Sequence, residues 1–229
     1  MMSEVQEKLT VNLVEESAVL LDVPNQATGI EMLRKIEACG RVSHASEDQA
    51  SPDSWKRFIE AVVLQHGDWS IVEHVSVTVN FILDRGCCFE LVRHRLCAFT
   101  QASTRFVNLT KTSTPPQFVL PDEISNEQRP VWDKAIGAAL QAYCDLVAAG
   151  AKPQIARSVL PNALAAKIVV TTNLRNWRHM FLMRTTREAH PQLRRVMNSL
   201  LVQFKERIPL LYDDIEADGR QIENLRKPR

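Results

Sequence analysis

Between His74 and Leu83 the chain reads HVSVTVNFIL, in which Val75, Val77, Val79, Phe81 and Leu83 alternate with Ser76, Thr78, Asn80 and Ile82. Successive side chains of an extended strand point to opposite faces, so this period of two predicts a strand with one face buried. One strand cannot stand alone, and the sheet it requires is expected to draw also on LTVNLV, residues 9–14. Helical periods flank it. In GIEMLRKIEACGRVSH the apolar Ile30, Leu33, Ile36 and Ala38 are expected on one helical face. SEDQASPDSWKRFIEAVVLQHG predicts a loop and then a helix, with Ser51 or Asp53 as N-cap, Pro52 in the first turn and Gly67 at the end.

After Asp84-Arg85-Gly86 the period changes. CCFELVRHRLC predicts a helix carrying Arg93–Arg95 toward its C-terminal end, where unpaired carbonyls favour cations. TKTSTPPQFVLPDEIS turns to Ser, Thr and Pro and marks a surface connection. PVWDKAIGAALQAYCDLVAAG predicts a long helix ending at Gly150, and KPQIARSVLPNALAAKIVVTTN a second helical stretch interrupted by Pro161. NLRNWRHMFLMR and HPQLRRVMNSLLVQFKERIPLLYDD complete a helix-rich C-terminal half. With no repeat, low-complexity tract or strong linker, the 229 residues are expected to form one domain, 1–229, of the α+β class.

Composition narrows the function. The 28 Lys and Arg nearly cancel 27 Asp and Glu, so the molecule as a whole is no polycation built for duplex DNA or membrane surfaces, and any basic site must be local. Five cysteines (Cys39, Cys87, Cys88, Cys97 and Cys144) form no CxxC pair and no metal-like spacing with histidine, and their odd number argues against a closed disulfide set. A reducing, cytoplasmic setting is the expectation. The start MMSEVQEKLTVNLVEES lacks the charge and apolar core of a secretory signal, and no apolar run approaches the roughly 20 residues of a membrane span. Cys87 and Cys88 are expected to pack.

Local basic sites do exist. Between Thr171 and Leu210 eight Arg or Lys face only Glu188 and Glu206, and they lie among Trp177, Met180, Phe181, Leu182 and Met183. Guanidinium groups at the edge of apolar packing need anionic or hydrogen-bonding partners, and phosphate is one. The Trp177, Met180, Phe181 and Met183 set has the helical spacing of core or subunit interface. RHRLCAFTQASTR, residues 93–105, joins a cationic triplet to Ser-Thr-Arg about one loop away. Small hydroxyl residues, free backbone N–H groups and an arginine fork suit a phosphomonoester, and the Arg-His-Arg group suits a second polyanion or an electron-rich heterocycle. Neither GxGxxG nor GxxxxGK[ST] is present, which removes the ordinary Rossmann and P-loop readings.

RHRLCAFTQASTR resembles the signature of flavin-dependent thymidylate synthases, an Arg-His-Arg followed seven residues later by Ser. GDWSIVEH, GCCFELVRHR, ARSVLPNAL and NLRNWRHMFLMRTTREAHPQLRRV support the resemblance in the same order, from about Ile30 to Phe204. It implies an α+β fold with a central, mainly antiparallel sheet and flanking helices, in a homotetramer whose active sites form at subunit contacts. It also implies reductive methylation of dUMP to dTMP, with methylene-tetrahydrofolate as carbon donor and NADPH reducing a bound FAD. Carried over by position, Ser70, Arg93, His94, Arg95, Gln101, Asn173, Leu174, Arg175 and His179 would contact FAD. Glu90, Leu91, Val92, Arg93, Gln101, Ala102, Ser103, Thr104, Arg105, Arg157 and Arg184 would contact dUMP, with the phosphate on Ser103, Thr104, Arg105 and Arg157. Arg184 matches the catalytic arginine set against the uracil ring, where a guanidinium stabilises developing negative charge. Ser103 is implied to bind rather than to attack, and no cysteine stands where a conventional thymidylate synthase needs its nucleophile.

The chain departs from the pattern at four places. Ala98 stands where Ser is common, Gln101-Ala102 where an acidic residue occurs, Phe106 where Tyr often follows the arginine, and Asp68 where His is frequent. Lost hydroxyl or carboxylate hydrogen bonds, each worth about 0.5–1.5 kcal/mol net, shift affinity more readily than reaction class. A related substrate such as UMP stays open, as does an arginine-rich nucleic-acid-binding module without flavin chemistry, although nucleic acid is not the expected partner. His74 has two readings, a cap or partner of Glu73 and a ligand contact, and His190 a structural one.

Overall fold

Strand, helix and cap in this chain meet at two junctions where a strand runs straight into a helix. The computed structural model describes residues 11–113 and 115–217. Its elements, in chain order, are β1 (Asn12–Leu13), β2 (Ser17–Leu20), α1 (Gln26–Arg41) and α2 (Ser54–Phe58, continuing as a wider π-type turn over Ile59–His66). A 3₁₀ segment at Trp69–His74 leads to β3 (Ser76–Asp84), α3 (Arg85–Leu91), β4 (Ala98–Gln101) and β5 (Gln117–Phe118). There follow α4 (Arg129–Ala148), α5 (Pro153–Ala156), β6 (Ala165–Asn173), α6 (Leu174–Arg184) and α7 (Pro191–Arg207). Four strands form an antiparallel sheet in the order β2-β3-β6-β4, and the fold is α+β as expected.

The predicted alternation of β3 is realised: Val77, Val79, Phe81 and Leu83 are fully buried and their neighbours are not. Three other expectations need correction. LTVNLV does not join the main sheet over its described part; Asn12 and Leu13 pair in parallel with Gln117 and Phe118, and SAVL (β2) takes the place beside β3. Leu9 and Thr10 lie outside the described residues. AKIVVTTN is a strand and not a helix, because the β-branched run Ile168–Thr172 favours the pleat, and Ala166, Ile168, Val170 and Thr172 point inward at period two. The helix after Gly86 stops at Leu91, so Arg93–Arg95 lie in the turn that follows, with His94 buried and Arg93, Arg95 and Leu96 exposed. AFTQ, not expected as a strand, forms β4 at the sheet edge.

Both junctions use the last strand residue as N-cap. Asp84 Oδ1 accepts from Cys87 N at 2.6 Å to open α3, and Asn173 Oδ1 accepts from Asn176 N at 2.8 Å to open α6. Each satisfies a helix-end donor that would otherwise lack a partner. With no connecting loop, the direction of each helix is fixed by the strand before it.

The chain divides into two compact units, Met1–Ser17, Ile82–Arg93 and Thr100–Ile168 in the first, Ala18–Phe81, His94–Phe99 and Val169–Arg229 in the second. The first has a core of Phe118, Ile136, Leu140 and Leu164, flanked by Leu109 and Trp132. In α4, Ile136, Leu140 and Tyr143 form the buried stripe, and Tyr143 Oη accepts from Leu109 N at 3.1 Å. α4 ends as expected before Gly150, whose φ of 92° suits glycine.

The second unit is built on an aromatic cluster. Phe181 meets Trp177, Phe204 and Tyr212 with ring centroids 6.1, 5.0 and 5.6 Å apart, mostly edge to face, and Trp177 Nε1 donates to Val77 O at 3.0 Å. Trp177, Met180 and Phe181 are thus core, whereas Met183 is exposed. α1 packs on α7 so closely that Gly29 sits against the Arg207 carbonyl, while Arg207 Nη1 donates to Val23 O at 2.9 Å. The buried face of α1 is Gly29, Leu33, Ile36, Glu37 and Gly40; Ala38 points outward, because the face follows the i, i+4, i+7 row.

A Cβ at Gly29 would lie 1.7 Å from Arg207 O, a backbone atom that can yield only by parting the helices. Gly29→Ala is expected to cost about 2–3 kcal/mol. Gly137→Ala, in α4 with nothing within 4 Å of the new Cβ, is expected to gain about 0.5–1 kcal/mol by helix propensity. Urea unfolding midpoints check both, and equal shifts would contradict the packing described.

Candidate active site

Each unit carries its own part of the candidate site. In the first, α3 ends at Leu91 and β4 ends at Gln101, so the motif's two ends leave regular elements as turns, whose N–H groups at Arg93, Ala102, Arg105, Phe106 and Val107 are bonded within the chain and not free as the sequence led one to expect. Ser103 Oγ accepts from Arg105 N at 3.2 Å and from Phe106 N at 3.4 Å, which folds Ser103–Phe106 into a tight turn. Arg105 lies over the Phe106 ring at 5.0 Å, and its Nε donates to Gln154 Oε1 at 3.4 Å. Arg157 Nη1 donates to Thr104 Oγ1 at 3.4 Å. Ser103, Thr104, Arg105 and Arg157 are therefore gathered around one turn. Phe106 in place of Tyr keeps the stacking surface for Arg105 and removes a hydroxyl.

Gln101 adds a further observation. Its Nε2 is buried and has no hydrogen-bond partner among the described residues. A buried donor without an acceptor costs about 1–3 kcal/mol, so the position calls for an external acceptor. Glu90 and Ser103 are half-buried, and Val92, Arg93, Ala102, Arg105 and Arg157 are exposed. Leu91 is fully buried, so only its backbone could serve a ligand.

The second unit carries His94, Arg95, Asn173, Leu174, Arg175, His179, Arg184 and Ser70. The turn bearing His94 is tied to the β6–α6 junction by side chains that sequence reasoning did not single out. Thr172 Oγ1 donates to Leu96 O at 2.7 Å, and Asn176 Nδ2 lies 2.9 Å from Thr172 Oγ1 and 3.2 Å from Cys97 Sγ. Cys97 Sγ also meets Met180 Sδ at 3.7 Å. The available signal was TTN before an apolar helical period, a strand end followed by an N-cap residue.

At the other end of α6, Arg184 Nε donates to His94 Nε2 at 2.9 Å. The guanidinium cannot give up its proton, so Nε2 is the bare nitrogen and His94 is the Nδ1–H tautomer. Burial, then the neighbouring Arg184 charge and then His179, bring the His94 pKa down to about 4. The His179 ring stands edge-on, 6.0 Å from that of His94 between centroids.

Not every predicted residue points to a ligand. Leu174 is fully buried; its N–H bonds to Val75 O at 3.0 Å and its carbonyl accepts from Tyr212 Oη at 2.9 Å. The Asn173 side chain serves as the helix cap. Arg175 pairs with Glu73 at 2.5 Å, so Glu73 takes an arginine rather than its neighbour His74. Ser70 is exposed, and Asp68 pairs with His66 at 3.2 Å.

The basic run of the C-terminal half is largely committed within the chain. Arg178 is buried, bonded through both terminal nitrogens to Asp214 and stacked 4.5 Å above Trp69. Arg194 donates to Arg187 O and Arg207 to Val23 O. Guanidinium groups held in this way do not form the open phosphate-tracking stripe of a nucleic-acid module.

These sets can be compared with known proteins. The sequence model of the family described as thymidylate synthase complementing protein matches residues 28–210, which include every candidate site residue. The chain belongs to this family. A relative named flavin-dependent thymidylate synthase, from Corynebacterium diphtheriae, is 33% identical over 224 residues, 88% of this chain and 85% of its own length. Another of that name, from Mycobacterium sp. (strain KMS), is 31% identical over 237 residues, 90% of this chain and 91% of its own. The one from Pyrococcus abyssi is 33% identical over 148 residues, and the chain spans only 61% of that relative's length.

The donor set of the second unit suits a flavin of the kind those relatives' names imply. His94 presents an Nδ1–H, Arg95 and His179 are exposed donors of the kind an acceptor-rich, anionic dinucleotide needs, and Arg175 is exposed and paired with Glu73. Among the described residues, no helix is long and apolar enough to cross a membrane.

The His94 environment has a consequence for stability. An unfolded histidine takes up a proton near 6.5, but the folded one only near 4. Between those values the unfolded state binds more protons, so stability falls as pH drops from about 6.5 to about 4 and this contribution changes no further below. The loss is on the order of 3 kcal/mol. Chemical denaturation at pH 7 and pH 4.5 should show a smaller acid loss in His94→Gln than in the wild type; identical losses would contradict the assignment.

Proposed function

We propose that the protein is an FAD-dependent thymidylate synthase that converts dUMP to dTMP, with methylene-tetrahydrofolate as carbon donor and NADPH as reductant. The observation that carries this reading is the family match over residues 28–210, within which the Arg-His-Arg and Ser-Thr-Arg groups both lie. Roles follow residue by residue. Ser103, Thr104, Arg105 and Arg157 hold the nucleotide phosphate, with Glu90, Leu91, Val92, Arg93, Gln101 and Ala102 along the nucleotide, and the stacking of Arg105 on Phe106 supports a fixed fork there.

Ser70, Arg93, His94, Arg95, Gln101, Asn173, Arg175 and His179 hold the flavin, and Leu174, whose backbone is bonded to Val75 O and Tyr212 Oη, fixes the start of α6 beneath them. When bound, the flavin supplies reducing equivalents that no side chain can. Arg184 faces the pyrimidine and stabilises negative charge that grows on the imide as the ring carbon becomes nucleophilic. The working protein is proposed as one functional domain, in a homotetramer whose sites form where chains meet; the exposed Leu96 and Phe106, each 78% accessible and each on a motif turn, support such contacts. The two residue sets then need not come from the same chain. Five free cysteines fit a cytoplasmic setting.

Product analysis with dUMP, methylene-tetrahydrofolate, FAD and NADPH tests the reaction, and UMP in place of dUMP tests the sugar. dTMP formation with dUMP is expected; turnover of UMP alone would replace the substrate. Arg157→Gln removes one charge-assisted contact to phosphate, worth about 1.5–3 kcal/mol, so dUMP affinity should fall roughly 10- to 100-fold with flavin retained. Unaltered dUMP affinity would refute the phosphate role.

A further inference from the structure

Arg184 is the last residue of α6. A guanidinium is planar, so fixing Nε sets the plane and the direction in which both terminal nitrogens point. Here the Nε–H is fixed by His94 Nε2 at 2.9 Å. His94 in turn belongs to a turn that the Thr172–Leu96 and Asn176–Cys97 contacts bind to the start of the same helix. One end of α6 thus holds the acceptor for a donor at its other end.

We propose that His94 is a positioning residue for Arg184: its uncharged Nε2 aims the guanidinium, and protonating His94 releases it. The functional part rests on the reading in which Arg184 faces the pyrimidine. Among the described residues, the charged and titratable groups that act on His94 work in the same direction. Arg184 and His179 oppose a proton on it from α6, and Arg93 and Arg95 flank it in its own turn. A protonated His94 has no lone pair at Nε2 and sets a second positive charge 2.9 Å from the first, so the hydrogen bond cannot survive. Turnover therefore acquires an acid limb belonging to His94, separate from any ionisation of the nucleotide.

Two arms test this. In protein labelled with ¹⁵N at histidine, with His94 assigned by its loss in His94→Gln, Nε2 should give the signal of an unprotonated nitrogen at pH 7. In Arg184→Ala its titration midpoint should rise by about one pH unit as the like charge is removed. A protonated Nε2 at pH 7, or a midpoint indifferent to Arg184→Ala, overturns the contact. The second arm measures kcat against pH for dUMP with FAD saturating. His94→Gln, whose Oε1 still accepts, should keep about a tenth or more of kcat and lose the acid limb, whereas His94→Leu should fall about 100-fold in kcat with a smaller change in KM. Equal losses in the two variants, or an acid limb surviving in His94→Gln, overturn the positioning role. A wild-type enzyme without dUMP turnover would sink the proposed function, and the titration arm would still decide the contact between His94 and Arg184.

Discussion

The attachment of one irregular turn to one strand–helix junction governs the chemistry available to this protein. β6 runs into α6 without a loop, and Asn173 caps the helix, so Thr172, Asn176 and Arg184 are set in fixed relation by backbone geometry alone. Thr172 and Asn176 then grip the backbone and sulfur of the turn that follows Arg-His-Arg. Without those contacts the histidine would be one more exposed residue in a basic loop. With them it is buried, uncharged and bonded to an arginine ninety residues away.

A division of labour among the arginines follows from burial. Arg178 is structural, because a guanidinium inside a protein requires a carboxylate, and Asp214 supplies one with both oxygens. Among the described residues Arg105 and Arg157 have weak, neutral hydrogen-bond partners, Gln154 and Thr104, and both are exposed, which fits the anion-binding role proposed for them. Arg184 is intermediate, half-buried and held through Nε by a neutral group. In this chain the partner, more than the residue type, separates scaffold from site.

Much of this was legible in the sequence, and the failures have physical causes. β3 was readable because Val75–Leu83 alternates on a sheet with one buried face. β6 was misread because alanines open it and Pro161 precedes it, although its β-branched residues pointed to a strand. The Arg-His-Arg turn reads as helix in the sequence because its apolar lead-in is helical; tertiary hydrogen bonds from Thr172 and Asn176, invisible to any local window, decide where the chain goes next. Candidate residues were easier to find than their roles. The motif's own residues pointed to Arg105 and the family resemblance to Arg157 and Arg184, but neither pointed to Leu174 and Leu91 being buried, to the lone Gln101 donor or to the tautomer of His94.

The central proposal is that this chain joins a flavin to a pyrimidine nucleotide through two sets of donors that share Arg93 and Gln101, and the visible absorption spectrum of the purified protein during titration with FAD and then dUMP tests it most directly. The account predicts a yellow protein whose flavin band shifts saturably with dUMP in the wild type and only at much higher dUMP in Arg157→Gln. A colourless protein that takes up no FAD, or a bound flavin whose spectrum ignores dUMP at every concentration, would contradict it.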